Sequence, residues 1–292
     1  MKLFVAVTNT EWFNQLSALK PDEVNFWKPS GASFRALSRG EPLLFKLHFP
    51  NNFIVGLGYF VSYSVLPASL AWNVFGEKNG AKSLYSLKER IRELREDDAG
   101  PDPEIGCRVL TNPEFFPRDQ WIPCPASFDR NIVQGKSYST DNAEGDWLWA
   151  SVEQRIAAVG RYGSSVEVRS RLGQGAFRVL VTDAYHRRCA ITGERTLPVL
   201  EAAHIMPFGE GPTTTNNGPL LRADLHALYD NGLLTVTPEY KIAVSPSIHE
   251  EYGNGREYYA LDGKPLLVLP HSAADQPRRD LLDWHTQNVY RP

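Results

Sequence analysis

The stretch that decides this chain runs from Cys189 to Asp230. It holds Leu200-Glu201-Ala202-Ala203-His204-Ile205, then Asn216-Asn217-Gly218, then Leu225-His226-Ala227-Leu228-Tyr229-Asp230. His204, Asn217 and His226 form an ordered histidine–asparagine–histidine series. A neutral imidazole such as His204 can take a proton from water. The amide of Asn217 can bridge backbone groups and hold a loop. His226 and Asp230 lie four apart in a segment of helical spacing, so they share one face. His226 reads as a ligand for a divalent cation, with Asp230 as a second. Phosphodiester hydrolysis needs an attacking hydroxide, charge neutralisation on the phosphate and a stabilised leaving oxygen, and these residue types can supply all three.

The surroundings fit that chemistry. Residues 197–202 are an apolar, strand-like run, and a Gly/Pro/Thr/Asn loop follows over 208–219. A short helix is predicted over 223–229, stopped by Asn231-Gly232. Residues 233–237 and 241–244 read as a hairpin-like pair. Strands, long loop and helix make a compact ββα arrangement. Upstream, 147–159 and 175–185 have helical spacing, the second with Phe177, Leu180, Val181 and Ala184 on one face. From Arg155 to Arg188 arginines outnumber the acids Glu167 and Asp183. An isolated run of this kind is ordinarily a solvated face. Placed directly before the histidine series, Arg171, Arg178, Arg187 and Arg188 are candidates for phosphate contacts.

Five ordered blocks carry a resemblance. Arg171-Leu-Gly-Gln-Gly-Ala-Phe-Arg178, Tyr185-His-Arg-Arg-Cys-Ala-Ile-Thr-Gly193, Glu201-Ala-Ala-His-Ile205, Asn217-Gly-Pro-Leu-Leu221 and His226-Ala-Leu-Tyr-Asp230 resemble the HNH endonuclease domain of restriction-type proteins. The resemblance covers roughly residues 148–250. It implies His204 as general base, Asn217 as the structural asparagine, His226 as a metal ligand, and one Mg²⁺ or Mn²⁺ per site. Two departures stand out. Many HNH domains bind a structural zinc through two Cys-x-x-Cys pairs. Here the first pair is reduced to Cys189 with Thr192, and the second pair of positions holds Arg222 and Leu225, so no structural zinc is expected and apolar packing takes its place. The residue before the catalytic histidine, often an Asp or His ligand, is Ala203. Glu201, on the same strand face as Ala203, is the candidate to reach the ion directly or through water.

The whole chain sets wider bounds. Its 292 residues suffice for two domains, and 42% apolar with 22% charged content is ordinary for a globular protein. The net charge of −3 gives no overall advertisement of nucleic-acid binding. No apolar run reaches the length of a membrane span. Residues 1–8 read as a first strand, too soon polar for a signal peptide. Cys107, Cys124 and Cys189 are an odd set without paired spacing, which points to a reducing compartment, the cytoplasm.

The polar segment 134–146 reads as a linker, separating an N-terminal domain at 1–133 from a nuclease domain at 147–292. Before it, 3–7, 41–47 and 53–61 read as strands and 83–96 as a helix, the pattern of an α+β domain with a curved or barrel-like sheet. Gly40-Glu41-Pro42-Leu-Leu-Phe-Lys-Leu47 followed by Ile54-Val-Gly-Leu-Gly-Tyr-Phe60 resembles PUA-superfamily barrels, including SRA and EVE domains. Several of these read a modified base by extruding it into an aromatic pocket. Such a base needs flat apolar walls and polar partners for its edge. Trp27 and Tyr59 are the expected walls, Asn25 and Asn73 the expected edge contacts.

The combination looks like a modification-dependent restriction endonuclease of type IV-like kind. Its fold class is α+β, a PUA/SRA-like β-barrel with helices followed by a ββα-metal HNH domain. The implied substrate is double-stranded DNA carrying 5-methylcytosine or 5-hydroxymethylcytosine, read by base flipping. A homodimer would supply the second site that a double-strand break takes. The alternatives are an HNH nuclease reading another modification or RNA, and a DNA-binding module whose HNH site is inactive.

Overall fold

Strand β1 (Lys2–Thr8) shows how the first part of the molecule is built. Leu3 and Val5 face one apolar cluster, Phe4 and Ala6 the other. A strand buried on both faces reads as a continuous apolar run rather than an alternating one. The computed structural model describes residues 1–95, 100–159 and 172–292. It divides into two units, Met1–Ala176 and Phe177–Pro292.

In the first unit a sheet of seven strands is built from β1, β2 (Glu23–Lys28), β3 (Pro42–Leu47), β4 (Phe53–Pro67), β5 (Glu104–Phe115), β6 (Ile122–Pro123) and β7 (Gly135–Ser139). The hydrogen-bonded path runs β2-β5-β4-β3-β1-β7, with β6 on β4. β1 and β3 are parallel, and the other neighbours are antiparallel. The path does not close among the described residues, and the expected α+β arrangement of a curved or barrel-like sheet with helices is present in this open form. Register shifts in β4, between Leu57 and Tyr59 and between Phe60 and Ser62, bend it. One face carries Trp12 and Phe13 of helix Thr10–Leu19, packed with Phe26 and Phe45. The other is covered by Leu148, Trp149 and Val152 of helix Ala143–Val159. Burying each such side chain contributes roughly 1.5–3 kcal/mol.

The expected linker at 134–146 is corrected. Gly135–Ser139 is strand β7, paired antiparallel to β1 from Lys2↔Ser139 to Ala6↔Gly135, and its Tyr138 is buried in the core. The segment reads as polar because β7 ends the sheet, and edge strands carry polar and charged residues on their free side. Gly135 has φ +155, and a Cβ there would meet the Val5 carbonyl oxygen at 2.5 Å. The following helix begins at Ala143 rather than 147, and residues up to Ala176 belong with the first unit.

In the second unit β8 (Leu200–Ala202) and β9 (Leu220–Arg222) pair antiparallel, and helix Ala223–Asp230 follows directly. The ββα arrangement therefore uses β9, which sequence pattern did not isolate. The expected hairpin is β10 (Leu234–Val236) with β11 (Ile242–Val244). Phe177, Val181, Leu200, Leu220, Leu225, Tyr229, Leu234 and Leu282 share one core. Among the described residues no helix is long and apolar enough to cross a membrane.

His285, on helix Arg279–Asn288, is buried in this core. It stacks on Tyr229 with ring centroids 3.8 Å apart, and Nδ1 lies 2.9 Å from Thr235 Oγ1. Burial pulls its pKa from 6.5 down to about 4. Below pH 6.5 the unfolded chain takes up a proton that the folded chain refuses, so stability is lost between pH 6.5 and 4. Urea melts at pH 7.5 and pH 5 are expected to show a loss of about 2 kcal/mol attributable to this group. The corresponding loss should vanish in His285→Phe.

Candidate active site

Asn217 is 1% exposed and its amide joins two stretches of the loop between β8 and β9. Nδ2 donates to the Met206 carbonyl at 3.0 Å and the Pro212 carbonyl at 3.1 Å, while Oδ1 accepts from Met206 N at 3.0 Å. Its own carbonyl accepts from Ile205 N at 2.9 Å, and Ala203 N donates to the Pro219 carbonyl at 3.0 Å. The backbone on both sides of His204 is therefore pinned to the far end of the loop. Gly218 sits in the same seam, where a Cβ would meet the Ala203 oxygen at 2.1 Å. Its φ of −175 is ordinary extended backbone, so the demand is for space.

The His204 ring is held by aromatic contacts. It stacks on Phe177 with centroids 3.9 Å apart at 18°, and Phe208 stands edge-on at 5.9 Å. Its nitrogens make no hydrogen bond to another group among the described residues. Burial lowers its pKa, the neighbouring His226 lowers it further, and Asp230 opposes this. His204 is thus neutral at neutral pH, with a free nitrogen that can accept a proton.

His226 lies between two carboxylates. Nδ1 is 2.7 Å from Glu201 Oε2, and Nε2 is 3.3 Å from Asp230 Oδ2. The hydrogen bond with Asp230 raises its pKa, burial opposes, and the bond with Glu201 adds to the rise. When Nδ1 donates to Glu201, the lone pair of Nε2 faces Asp230, and the two acceptors need a positive charge between them. A proton supplies it in one state. A divalent cation on His226 Nε2 and Asp230 would supply it in another, with Glu201 fixing the tautomer as carboxylates behind metal-bound histidines do. Among the described residues no group of three or more His, Cys, Asp or Glu stands ready to hold a metal. His226 and Asp230 fit two positions of a shell completed by water and phosphate oxygens, the usual habit of Mg²⁺. Ala203 is buried in the core.

Cys189 and Leu225, two of the positions where zinc-binding relatives carry cysteines, are fully buried in the apolar core. Arg222 makes a bidentate pair with Asp224 at 2.6 and 2.7 Å. Of the arginines expected at phosphate, Arg178 donates to the Leu200 carbonyl and Arg187 lies 3.9 Å from Asp183. Arg188 has its Nε buried without a partner, and Arg171 lies outside the described residues.

In the first unit a cleft of about 440 Å³ is lined by Trp12, Phe26, Trp27, Lys28 and Arg108, among others. That volume lies within the range of small-ligand sites, ~300–1,000 Å³. Of the four residues expected in a base pocket, Trp27 lines it, with Nε1 donating to the Asn79 carbonyl at 2.9 Å. Asn25 is fully buried and donates to Asn79 Oδ1 and Cys107 Sγ. Tyr59 packs in the core on the other face of the sheet, and Asn73 is exposed on helix Ala68–Phe75. The four are not brought together. Sequence reasoning missed Arg108, whose one signal was a cation inside the apolar run Ile105–Leu110.

Comparison with known proteins bears on the same residues. Positions 189–237 match the HNH endonuclease family model. This stretch therefore carries an HNH endonuclease domain. No curated protein sequence matches the chain. Among solved structures, the chain is similar to ASCH from Zymomonas mobilis at 12% identity and TM-score 0.37, over 51% of this chain and 94% of that one. It is also similar to the modification dependent TagI restriction endonuclease at 15% identity and TM-score 0.31, over 92% of this chain and 76% of that one.

Asn217→Asp keeps the size of the side chain and turns its two donations into acceptors facing the Met206 and Pro212 carbonyls. With net hydrogen bonds near 1 kcal/mol and larger penalties for orphaned buried groups, it should cost about 2–4 kcal/mol of stability. Denaturant titration measures this, and DNA cleavage should fall alongside.

Proposed function

We propose that this protein is a divalent-cation-dependent DNA endonuclease directed by its first unit to DNA carrying 5-methylcytosine or 5-hydroxymethylcytosine. The observation that carries the nuclease chemistry is the division between the two histidines. His204 is neutral with a free nitrogen, and His226 is bracketed by Glu201 and Asp230. In hydrolysis His204 removes a proton from water as the water oxygen bonds to phosphorus. The bond from phosphorus to the leaving oxygen breaks, and that oxygen takes a proton from solvent. His226 and Asp230 would hold the cation, Mg²⁺ or Mn²⁺, which neutralises phosphate charge and stabilises the leaving oxygen. Asn217 positions His204 and touches no reacting atom.

Support for a base-reading role comes from the cleft of the first unit. Trp27, Trp12 and Phe26 give it apolar walls, as an extruded base requires, and Lys28 and Arg108 give it donors. One HNH site cuts one strand, so two copies acting together account for a double-strand break.

Matched plasmids bearing 5-methylcytosine, 5-hydroxymethylcytosine or unmodified cytosine should be cut unequally with Mg²⁺ or Mn²⁺, the modified ones faster. Equal cutting would exclude modification dependence. His204→Ala is expected to slow cleavage ~10²–10⁴-fold, the usual contribution of a general base. Cleavage at the parental rate would remove His204 from the mechanism.

A further inference from the structure

Arg108 is a buried cation without a matching anion among the described residues. It lies on β5, opposite Phe26 of β2 and Tyr63 of β4, and is 4% exposed. Its guanidinium lies 4.6 Å from the centre of the Phe34 ring and 5.7 Å from those of Phe4 and Phe26. Its Nε is buried with no hydrogen-bond partner. No carboxylate pairs with it among the described residues.

Lys28, on the neighbouring strand, lines the same cleft and also lacks an ion pair there. The remaining arginine of the lining, Arg90, is paired with Glu11. No Asp or Glu is among the lining residues that the structure describes. Burial draws the Arg108 pKa down to about 10, and burial together with the Arg108 charge lowers that of Lys28. Arg108 remains cationic at neutral pH. Aromatic rings offset part of the cost of burying a guanidinium. An uncompensated buried charge is still expensive, and two neighbouring ones repel. A cation held this way at the wall of an open cleft is arranged for a ligand that brings the missing negative charge.

Resting on the reading of the first unit as a base reader, we infer that the cleft takes an anionic oxygen of a nucleotide, with Arg108 as its specificity-determining residue and Lys28 as its helper. The aromatic lining holds the flat ring while the two cations hold the oxygen. Guanidinium geometry suits a carboxylate or a phosphate, each offering two oxygens to its fork. Two sources of that chemistry exist on a nucleotide. One is an acidic substituent on the ring, as in 5-carboxylcytosine. The other is the phosphate of the extruded nucleotide itself.

The full chain, without divalent cation so that no cutting occurs, is titrated by fluorescence anisotropy with four duplexes. These carry a central cytosine, 5-methylcytosine, 5-carboxylcytosine, or 5-methylcytosine with an adjoining neutral methylphosphonate linkage. A fifth duplex with the methylphosphonate placed remotely controls for general backbone contacts. If the ring supplies the oxygen, the 5-carboxylcytosine duplex binds at least tenfold more tightly than the 5-methylcytosine duplex. If the phosphate supplies it, the adjoining methylphosphonate weakens binding at least tenfold and the remote one does not.

In either case Arg108→Met abolishes the difference, and the less buried Lys28→Met reduces it several-fold. Thermal melts show whether each variant is folded, and the lysine variant carries the test if the arginine variant is not. The inference is overturned if binding ignores both charge changes, or if folded Arg108→Met keeps the discrimination. Preference for 5-methylcytosine over cytosine without any charge effect would leave the base reader standing and remove this inference. A charge effect without any preference among bases would do the reverse.

Discussion

The buried amide of Asn217 is the constraint on which the candidate site depends. Two strands of three residues each, β8 and β9, cannot by themselves fix the long loop that joins them. Asn217 does so by closing hydrogen bonds to Met206 and Pro212, while its backbone receives Ile205 N. Every polar atom of the amide faces a partner in an interior where an orphan would be costly. Gly218 lets the two strands approach so closely that the Ala203 oxygen fills the space of a side chain. His204 stands between these two fixed points, so its ring direction follows from the loop closure and from stacking on Phe177.

Electrostatics then separates two chemically identical side chains. His204 sits against aromatic rings, and burial together with the charge of His226 keeps it neutral. His226 sits between Glu201 and Asp230, and those carboxylates favour a positive charge on or beside its ring. A base and a cation site can operate side by side because one environment repels charge and the other attracts it. In the proposed mechanism a proton and a divalent cation would compete for the same place at His226, so cation binding would weaken as the pH falls.

The candidate site was legible because the proposed chemistry requires particular residue types in order. His204, Asn217, His226 and Asp230 could be picked out from residue type, and their helix and loop from Gly, Pro and Asn punctuation. Glu201 was legible as a strand residue near the proposed cation site, but its contact with His226 Nδ1 depends on the pairing of β8 with β9, which a strand as short as Leu220–Arg222 does not announce. In the first unit the apolar runs of β1, β3 and β4 gave strands, whereas the polar edge strand β7 resembled a linker until its pairing with β1 was seen. Asn25 shares a face of β2 with Trp27, yet its amide is fully buried and spent on Asn79 and Cys107, which residue type alone does not announce. Arg108 was hidden inside the apolar run of β5. Only the fold shows that its strand position ends among Phe4, Phe26 and Phe34 at a cleft wall.

The central claim is that His204 and His226 divide the work of base and cation ligand. Calorimetric titration of Mn²⁺ into the full chain and into His204→Ala and His226→Ala tests it most directly. His204→Ala is expected to bind Mn²⁺ with the stoichiometry of the parent, and His226→Ala to lose that site. Retained binding in His226→Ala, or its loss in His204→Ala with the fold intact, would contradict the division.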